Sequence, residues 1–154
     1  MNWFYRYGSR RVINVSGTMT SLGASIVAPP VIEAVASILP HFVEIDALQR
    51  HASSVIAAAC ASESGYVTAS CSAAITLGIA ATMTGDDPGL IEQLPDTSGL
   101  RNEVVIQTGH LINYGAPIDQ AIRLAGARGV AVGAATEAHG YQLASAITES
   151  RRSR

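Results

Sequence analysis

Lysine is absent from this 154-residue chain, and all ten basic residues are arginine. The absence excludes several chemistries that need a side-chain amine: a Schiff base with a carbonyl cofactor, the lysine contact to phosphate in a P-loop, and lysine general-base catalysis. Charge is scarce as well, with 14% charged residues, a net charge of -2 and a pI near 6.0, so nothing draws the chain to nucleic acid in general. No apolar run reaches the ~18 residues needed to span a bilayer. Residues 1–11 mix aromatics with Arg6, Arg10 and Arg11 and lack the apolar stretch and cleavage site of a secretory signal. No membrane partner is expected, and a cytoplasmic location is. The two cysteines, Cys60 and Cys71, make neither a CxxC pair nor a disulfide framework. Cys60 lies among alanines and reads as a small buried hydrophobe. Four histidines, at positions 41, 51, 110 and 139, share no metal-ligand spacing, so no metal site is expected.

What is present is apolar: 48% of residues are hydrophobic, a balance typical of α/β domains whose parallel strands are covered on both faces. A chain of this length can form one domain that buries roughly 70% of the surface its unfolded form exposes. The boundaries expected are an N-terminal arm over 1–11, a domain over 12–148 and a polar tail over 149–154. The tail's Arg151, Arg152 and Arg154 read as solvated. No linker divides the chain.

After the arm, Val12-Ile13-Asn14-Val15 reads as extended and residues 16–23 as a loop of small residues. Pro29 and Pro30 open a helix whose Val31, Ile32, Val35, Ile38 and Leu39 form one stripe for a core, and Pro40 stops it. Asp46 with Gln49 three positions on resembles a capping box, and Leu48, Ala52, Val55, Ile56 and Ala59 continue a buried face. Gly65-Tyr66-Val67-Thr68-Ala69 is β-prone, and a tight turn, Ser70-Cys71-Ser72, leads into a nearly all-apolar helix over 73–81. A loop follows, marked by Gly85-Asp86-Asp87-Pro88-Gly89 and Pro95-Asp96-Thr97-Ser98-Gly99. Strands are predicted at 103–107 and 129–133, with a helix between them that starts near Pro117 and stops at Gly126, and a last helix over 141–147. Alternation of strand and helix predicts an α/β fold: a parallel sheet in a three-layer α/β/α arrangement.

Ligands of such sheets sit beyond the carboxyl ends of the strands, where a helix start offers unpaired N–H groups and a positive dipole end to an anion. Ser70, Cys71 and Ser72 meet both conditions, and their small side chains let a phosphate approach the backbone. Equally, Ser72 can be a simple helix cap. His110 follows the second strand by Thr108 and Gly109, which places it at the same edge. There an imidazole can stack on a planar ring or handle a proton, or it can be structural.

Several segments together carry a resemblance to a known family. Arg11-Val12-Ile13-Asn14-Val15-Ser16-Gly17-Thr18 with Leu22-Gly23, then Glu44-Ile45-Asp46-Ala47-Leu48-Gln49, then residues 65–74, then Asn102-Glu103-Val104-Val105-Ile106-Gln107 with His110 stand in the family's order. Over about residues 10–148 the chain resembles the selenocysteine synthase-like group of pyridoxal-phosphate enzymes, which includes D-glucosaminate-6-phosphate ammonia-lyase. The resemblance implies a partial aspartate-aminotransferase-like large domain of fold type I. It also implies that Ser70, Cys71 and Ser72 bind the phosphate of pyridoxal 5′-phosphate and that His110 stacks on its ring. No catalytic residue is assigned, because the family's ring-facing aspartate and Schiff-base lysine come from later in the chain.

The expectation is therefore a truncated lyase- or transferase-like protein, inactive as this chain alone. Its family acts on small amino-acid or amino-sugar-acid substrates by ammonia elimination or aldol-type cleavage. The alternatives are a non-catalytic phosphate-binding α/β module and one half of a split enzyme acting as an interaction protein. A homo-oligomer or a missing C-terminal half is the expected partner. Only a short arm precedes Val12, so a transfer-RNA substrate is not expected.

Overall fold

The computed structural model describes residues 3–147, so the 149–154 tail with its arginines lies outside the described residues. The backbone forms two compact units, Met1–Leu48 and Gln49–Arg154. The division falls inside a helix, α3 (Ile45–Cys60), where no linker composition marks it.

In the first unit, α1 (Trp3–Arg6) precedes a segment expected to be extended. Residues 12–15 form no strand, because Asn14 closes a local turn instead. Its Oδ1 accepts from the Ser16 N–H at 2.9 Å and its Nδ2 donates to the Gly17 carbonyl at 2.6 Å. A short polar side chain that bonds its own backbone competes with sheet pairing. A tight turn follows, with Met19 and Ala24 bridged and Gly23 at φ 86°. Helix α2 (Pro29–Ile38) starts as expected, with proline at its first positions, where no N–H is missed. The expected burial of its stripe is not found: Val31, Ile32 and Val35 are each about half exposed, at 51%, 54% and 51%. A 3.6-residue period identifies the face that seeks a partner and leaves the partner unspecified.

Helix α3 includes Asp46 in its first turn, so Asp46 favours the dipole from within the helix and is not its cap. Leu48 and Val55, expected to be buried, are exposed, whereas Ala52 and Ile56 are half-buried. Cys60 is exposed because it is the last residue of the helix, which corrects its reading as buried. The β-prone stretch 65–69 is extended without being a strand. No strand pairs with it among the described residues, and side chains of α3 take its hydrogen bonds instead. Helix α4 (Cys71–Thr84) follows, and the expected loop after it contains a further helix, α5 (Pro88–Gln93). Its start signal is ordinary: Asp87 accepts from the N–H groups of Gly89 at 2.8 Å and Leu90 at 3.3 Å, and Pro88 occupies the first position.

The second unit closes around β1 (Glu103–Gln107), α6 (Ile118–Leu124) and β2 (Arg128–Val132). The two strands pair in parallel, Glu103 opposite Arg128 through Gln107 opposite Val132. The fold is thus α/β with a parallel sheet, of two strands among the described residues. Helix α7 (Gly140–Ala146) packs on both strands, and α6 packs on β2 and α4.

The core is small and sits on α6: Ala121, Ile122, Ala125 and Ala127 are buried, with Ile122 at 1% exposure. Alanines let backbones approach, and polar ties hold them there. The Thr76 hydroxyl donates to the Ala121 carbonyl at 2.9 Å, joining α4 to α6, and the Thr97 hydroxyl donates to the Gly126 carbonyl at 2.9 Å. Gly126 has φ 82°, and a Cβ there would lie 2.4 Å from the Pro95 carbonyl oxygen, so only glycine fits. Next to Thr97, the Ser98 hydroxyl and N–H bond the Asp96 carboxylate at 2.6 and 2.9 Å and hold it below its ordinary pKa.

Ile122→Ala removes a wholly buried side chain and should cost about 2–5 kcal/mol in urea unfolding. Leu124→Ala, on the exposed side of the same helix, should stay within about 0.5 kcal/mol. Equal losses at the two positions would show that α6 does not pack as described.

Candidate functional site

Helix α4 begins where the extended segment 65–69 turns at Ser70. Ser70 is the cap: at φ -167° and ψ 166° it lies outside the helix, and its Oγ accepts from the Ala73 N–H at 3.1 Å. The sequence reading had given Ser72 as the candidate cap. Ser72 lies instead in the first turn, where its carbonyl accepts from the Thr76 hydroxyl at 3.1 Å. The Thr68 hydroxyl donates to the Ser70 carbonyl at 2.9 Å and fixes the approach to the turn. The amides of Cys71 and Ser72 have no acceptor within the helix, as first-turn geometry requires. They lie at the positive end of a 14-residue helix, between the small side chains of Ser70 and Ala73 and with Cys71 exposed. An anion of phosphate size suits this arrangement.

His110 lies in a short turn, Thr108–His110, directly after β1. The Thr108 hydroxyl is shared between the carbonyls of Val132 at 3.0 Å and Gly133 at 2.9 Å, which ties the carboxyl ends of both strands together. A Cβ on Gly109 would lie 2.4 Å from the Ala135 carbonyl oxygen, so the loop after β2 rests against the backbone beside His110. His110 therefore sits at the carboxyl edge of the sheet, as expected. Among the described residues no hydrogen bond joins it to Ser70, Cys71 or Ser72.

That same loop holds a group the sequence reading missed. His139 Nε2 lies 3.3 Å from Glu137 Oε1, and the His139 ring stacks on Tyr141 with centroids 5.6 Å apart and planes at 11°. The Gln142 side chain accepts from the His139 N–H at 2.8 Å and closes the start of α7. The signal was available: residues following β2 occupy the sheet edge for the same reason that His110 does.

A further concavity lies elsewhere. A cavity of about 340 Å³ is lined by Ile106, Leu111, Ala131 and the ion-paired residues Asp119 and Arg123. None of Ser70, Cys71, Ser72 or His110 lines it. Its arginines are already engaged, Arg123 with Asp119 at 3.1 Å and Arg128 with Glu103. Among the described residues no group of three histidine, cysteine or acidic side chains could hold a metal ion. Nor is any helix there long and apolar enough to cross a membrane.

The chain thus starts a long helix from a serine-capped turn and sets a histidine at the end of a parallel strand. No family model matches it. It is 43% identical over 148 residues to D-glucosaminate-6-phosphate ammonia lyase of Salmonella typhimurium, covering 96% of this chain and 40% of that protein. The solved structure of a D-glucosaminate-6-phosphate ammonia-lyase superposes with a TM-score of 0.92 at 43% identity, over 97% of this chain and 41% of the other. A second relative, 5′-C-glycyluridine monooxygenase-decarboxylase of a Streptomyces species, is 35% identical over 138 residues, covering 89% of this chain and 35% of its own length. The chain thus spans about 40% of the length of the ammonia lyase it matches, and over that span it is a homologue of the lyase in sequence and in fold.

Ser70→Ala should cost about 1 kcal/mol through loss of the cap, and Ser70→Asp should retain most of that stability. Urea unfolding of both variants reads the difference. An Ala variant as stable as the parent would remove Ser70 from the capping role.

Proposed function

We propose that this chain is lyase-like, of the pyridoxal-phosphate-dependent, selenocysteine synthase-like group, and that its 70–72 turn holds the cofactor phosphate. One observation carries the reading: the 43% identity to an ammonia lyase runs through a helix start whose amides are suited to an anion. The architecture implied for the whole protein is an aspartate-aminotransferase-like, fold type I large domain.

In this reading each residue takes a distinct part. The Cys71 and Ser72 amides donate to phosphate oxygens. The Ser70 hydroxyl, whose oxygen accepts from Ala73, keeps its own proton for the same anion. His110, at the end of β1, would lie against the planar ring of the cofactor. The cofactor, when bound, supplies an electron-withdrawing ring that stabilises a carbanion next to the substrate amine. The substrates this reading favours are small amino acids or amino-sugar acids, which lose ammonia or undergo aldol-type cleavage. The cytoplasm is the expected compartment.

These 154 residues include no lysine, so they cannot anchor the cofactor aldehyde through a side-chain amine. Alone they bind and do not turn over. The reading therefore calls for a partner, either a second copy or a polypeptide that carries the lysine-bearing part of the site. Exposed apolar residues on α2, such as Val31 and Val35, and on α3, Leu48 and Val55, are the surfaces offered for it.

Inorganic phosphate or pyridoxal 5′-phosphate at a hundredfold excess over Kd should stabilise the fold by about 2.7 kcal/mol, seen as a rise in Tm. The double variant S70E/S72E should lose that rise through charge repulsion and steric block. An equal rise in the double variant would reduce the turn to a helix cap and nothing more.

A further inference from the structure

The segment leading into the 70–72 turn is extended, yet no strand pairs with it among the described residues. Helix α3 supplies what a strand would. The Gln49 carboxamide makes both bonds to the backbone of one residue: its Nε2 donates to the Val67 carbonyl at 2.9 Å, and its Oε1 accepts from the Val67 N–H at 3.3 Å. One turn further along the helix, Ser53 Oγ accepts from the Gly65 N–H at 3.1 Å. One more turn on, Ile56 lies so close that a Cβ on Gly65 would fall 2.4 Å from its Cγ2. Residues 49, 53 and 56 share one helix face at i, i+4 and i+7. That face grips residues 65–67 at two hydrogen-bonding points and one steric point.

We propose that Gln49 is a positioning residue: its carboxamide stands in for the edge of a neighbouring strand, fixes Val67, and so sets where Ser70 ends the segment and α4 begins. Only two residues separate Val67 from Ser70, and the Thr68 hydroxyl bonded to the Ser70 carbonyl stiffens that span. A shift at Val67 is therefore passed to the amides of Cys71 and Ser72. The effect on a ligand rests on the reading of the turn as a phosphate cradle. The clamp itself does not.

The requirement is chemically specific. A primary amide offers a donor and an acceptor side by side, as a peptide edge does. An ionised carboxylate of the same size only accepts, so in Gln49→Glu it would take the Val67 N–H and repel the Val67 carbonyl. A protonated carboxyl again both donates and accepts. Gln49→Glu should thus be defective at neutral pH and recover as the pH falls through the ordinary glutamate range, near about 4.3. Gln49→Met, of similar length and without polar atoms, should be defective at every pH.

The test uses the full chain as wild type, Gln49→Glu and Gln49→Met, with inorganic phosphate as the probe. Amide hydrogen exchange at Val67 and Ala73 and the phosphate Kd are read from pH 4 to 7, each as a ratio to wild type at the same pH so that titration of phosphate cancels. Val67 exchange should speed up about tenfold in Gln49→Met, the equivalent of ~1.4 kcal/mol, with phosphate affinity falling several-fold. In Gln49→Glu both ratios should return towards one on acidification. Unchanged Val67 exchange in Gln49→Met, or a Gln49→Glu ratio that does not move with pH, overturns the proposal. Should Gln49→Met fail to fold, the pH response of Gln49→Glu decides alone. A wild-type chain that binds no phosphate while exchange at Val67 still follows the pattern would overturn the cradle and leave the clamp standing.

Discussion

Burial of Ile122 is the interaction on which the second unit depends. Helix α6 joins β1 to β2 and brings its one fully buried large side chain to the sheet beside Gly129, where a Cβ would lie 3.8 Å from Ile122 Cδ1. Alanines at 121, 125 and 127 let the neighbouring backbones close around it. A parallel pair of strands is stable only when its faces are covered. Packing of α6 on β2 and of α7 on both strands provides that cover. The consequence for function is positional. Once β1 and β2 are in register and tied at their ends by Thr108, His110 and the loop carrying Glu137 and His139 share the carboxyl edge of the sheet.

The candidate phosphate site depends on a different kind of support. Helix α4 is apolar on nearly all sides, yet its start is set by polar contacts: Ser70 to Ala73, Thr68 to Ser70, and the Gln49 amide on Val67. These bonds lie near solvent, where each contributes on the order of 1 kcal/mol. They fix a position more than they add stability, and position is what an anion cradle needs, because backbone amides bind only when they converge. Thr76, bonded to the Ala121 carbonyl, anchors the same helix to the α6 core and so relates the turn to the sheet.

Strands 103–107 and 128–132, helix α6 and its glycine stop could be read from the sequence because their signals are local: β-branched runs, a proline at the start, a glycine that must adopt positive φ. The 70–72 turn was legible for the same reason, although the cap is Ser70 where Ser72 had been the candidate. What could not be read was pairing at a distance. Residues 65–69 have the composition of a strand, but their hydrogen bonds go to side chains eighteen and twelve positions earlier, and no periodicity encodes that. The stripes of α2 and α3 showed which faces are apolar without showing what covers them. Helix α5 is the opposite case: Asp87-Pro88 is both a loop signal and a helix start, and the structure uses it as a helix start.

We propose that the first amides of α4 hold the phosphate of a pyridoxal-type cofactor, with His110 at its ring. Titration with pyridoxine 5′-phosphate, which carries the phosphate and ring without the aldehyde, followed by two-dimensional amide NMR, tests it most directly. Saturable shifts centred on the Cys71, Ser72 and Ala73 amides, with a smaller set at His110, are the predicted result. Shifts confined to arginine side chains, or none at the start of α4 at saturating ligand, would contradict it.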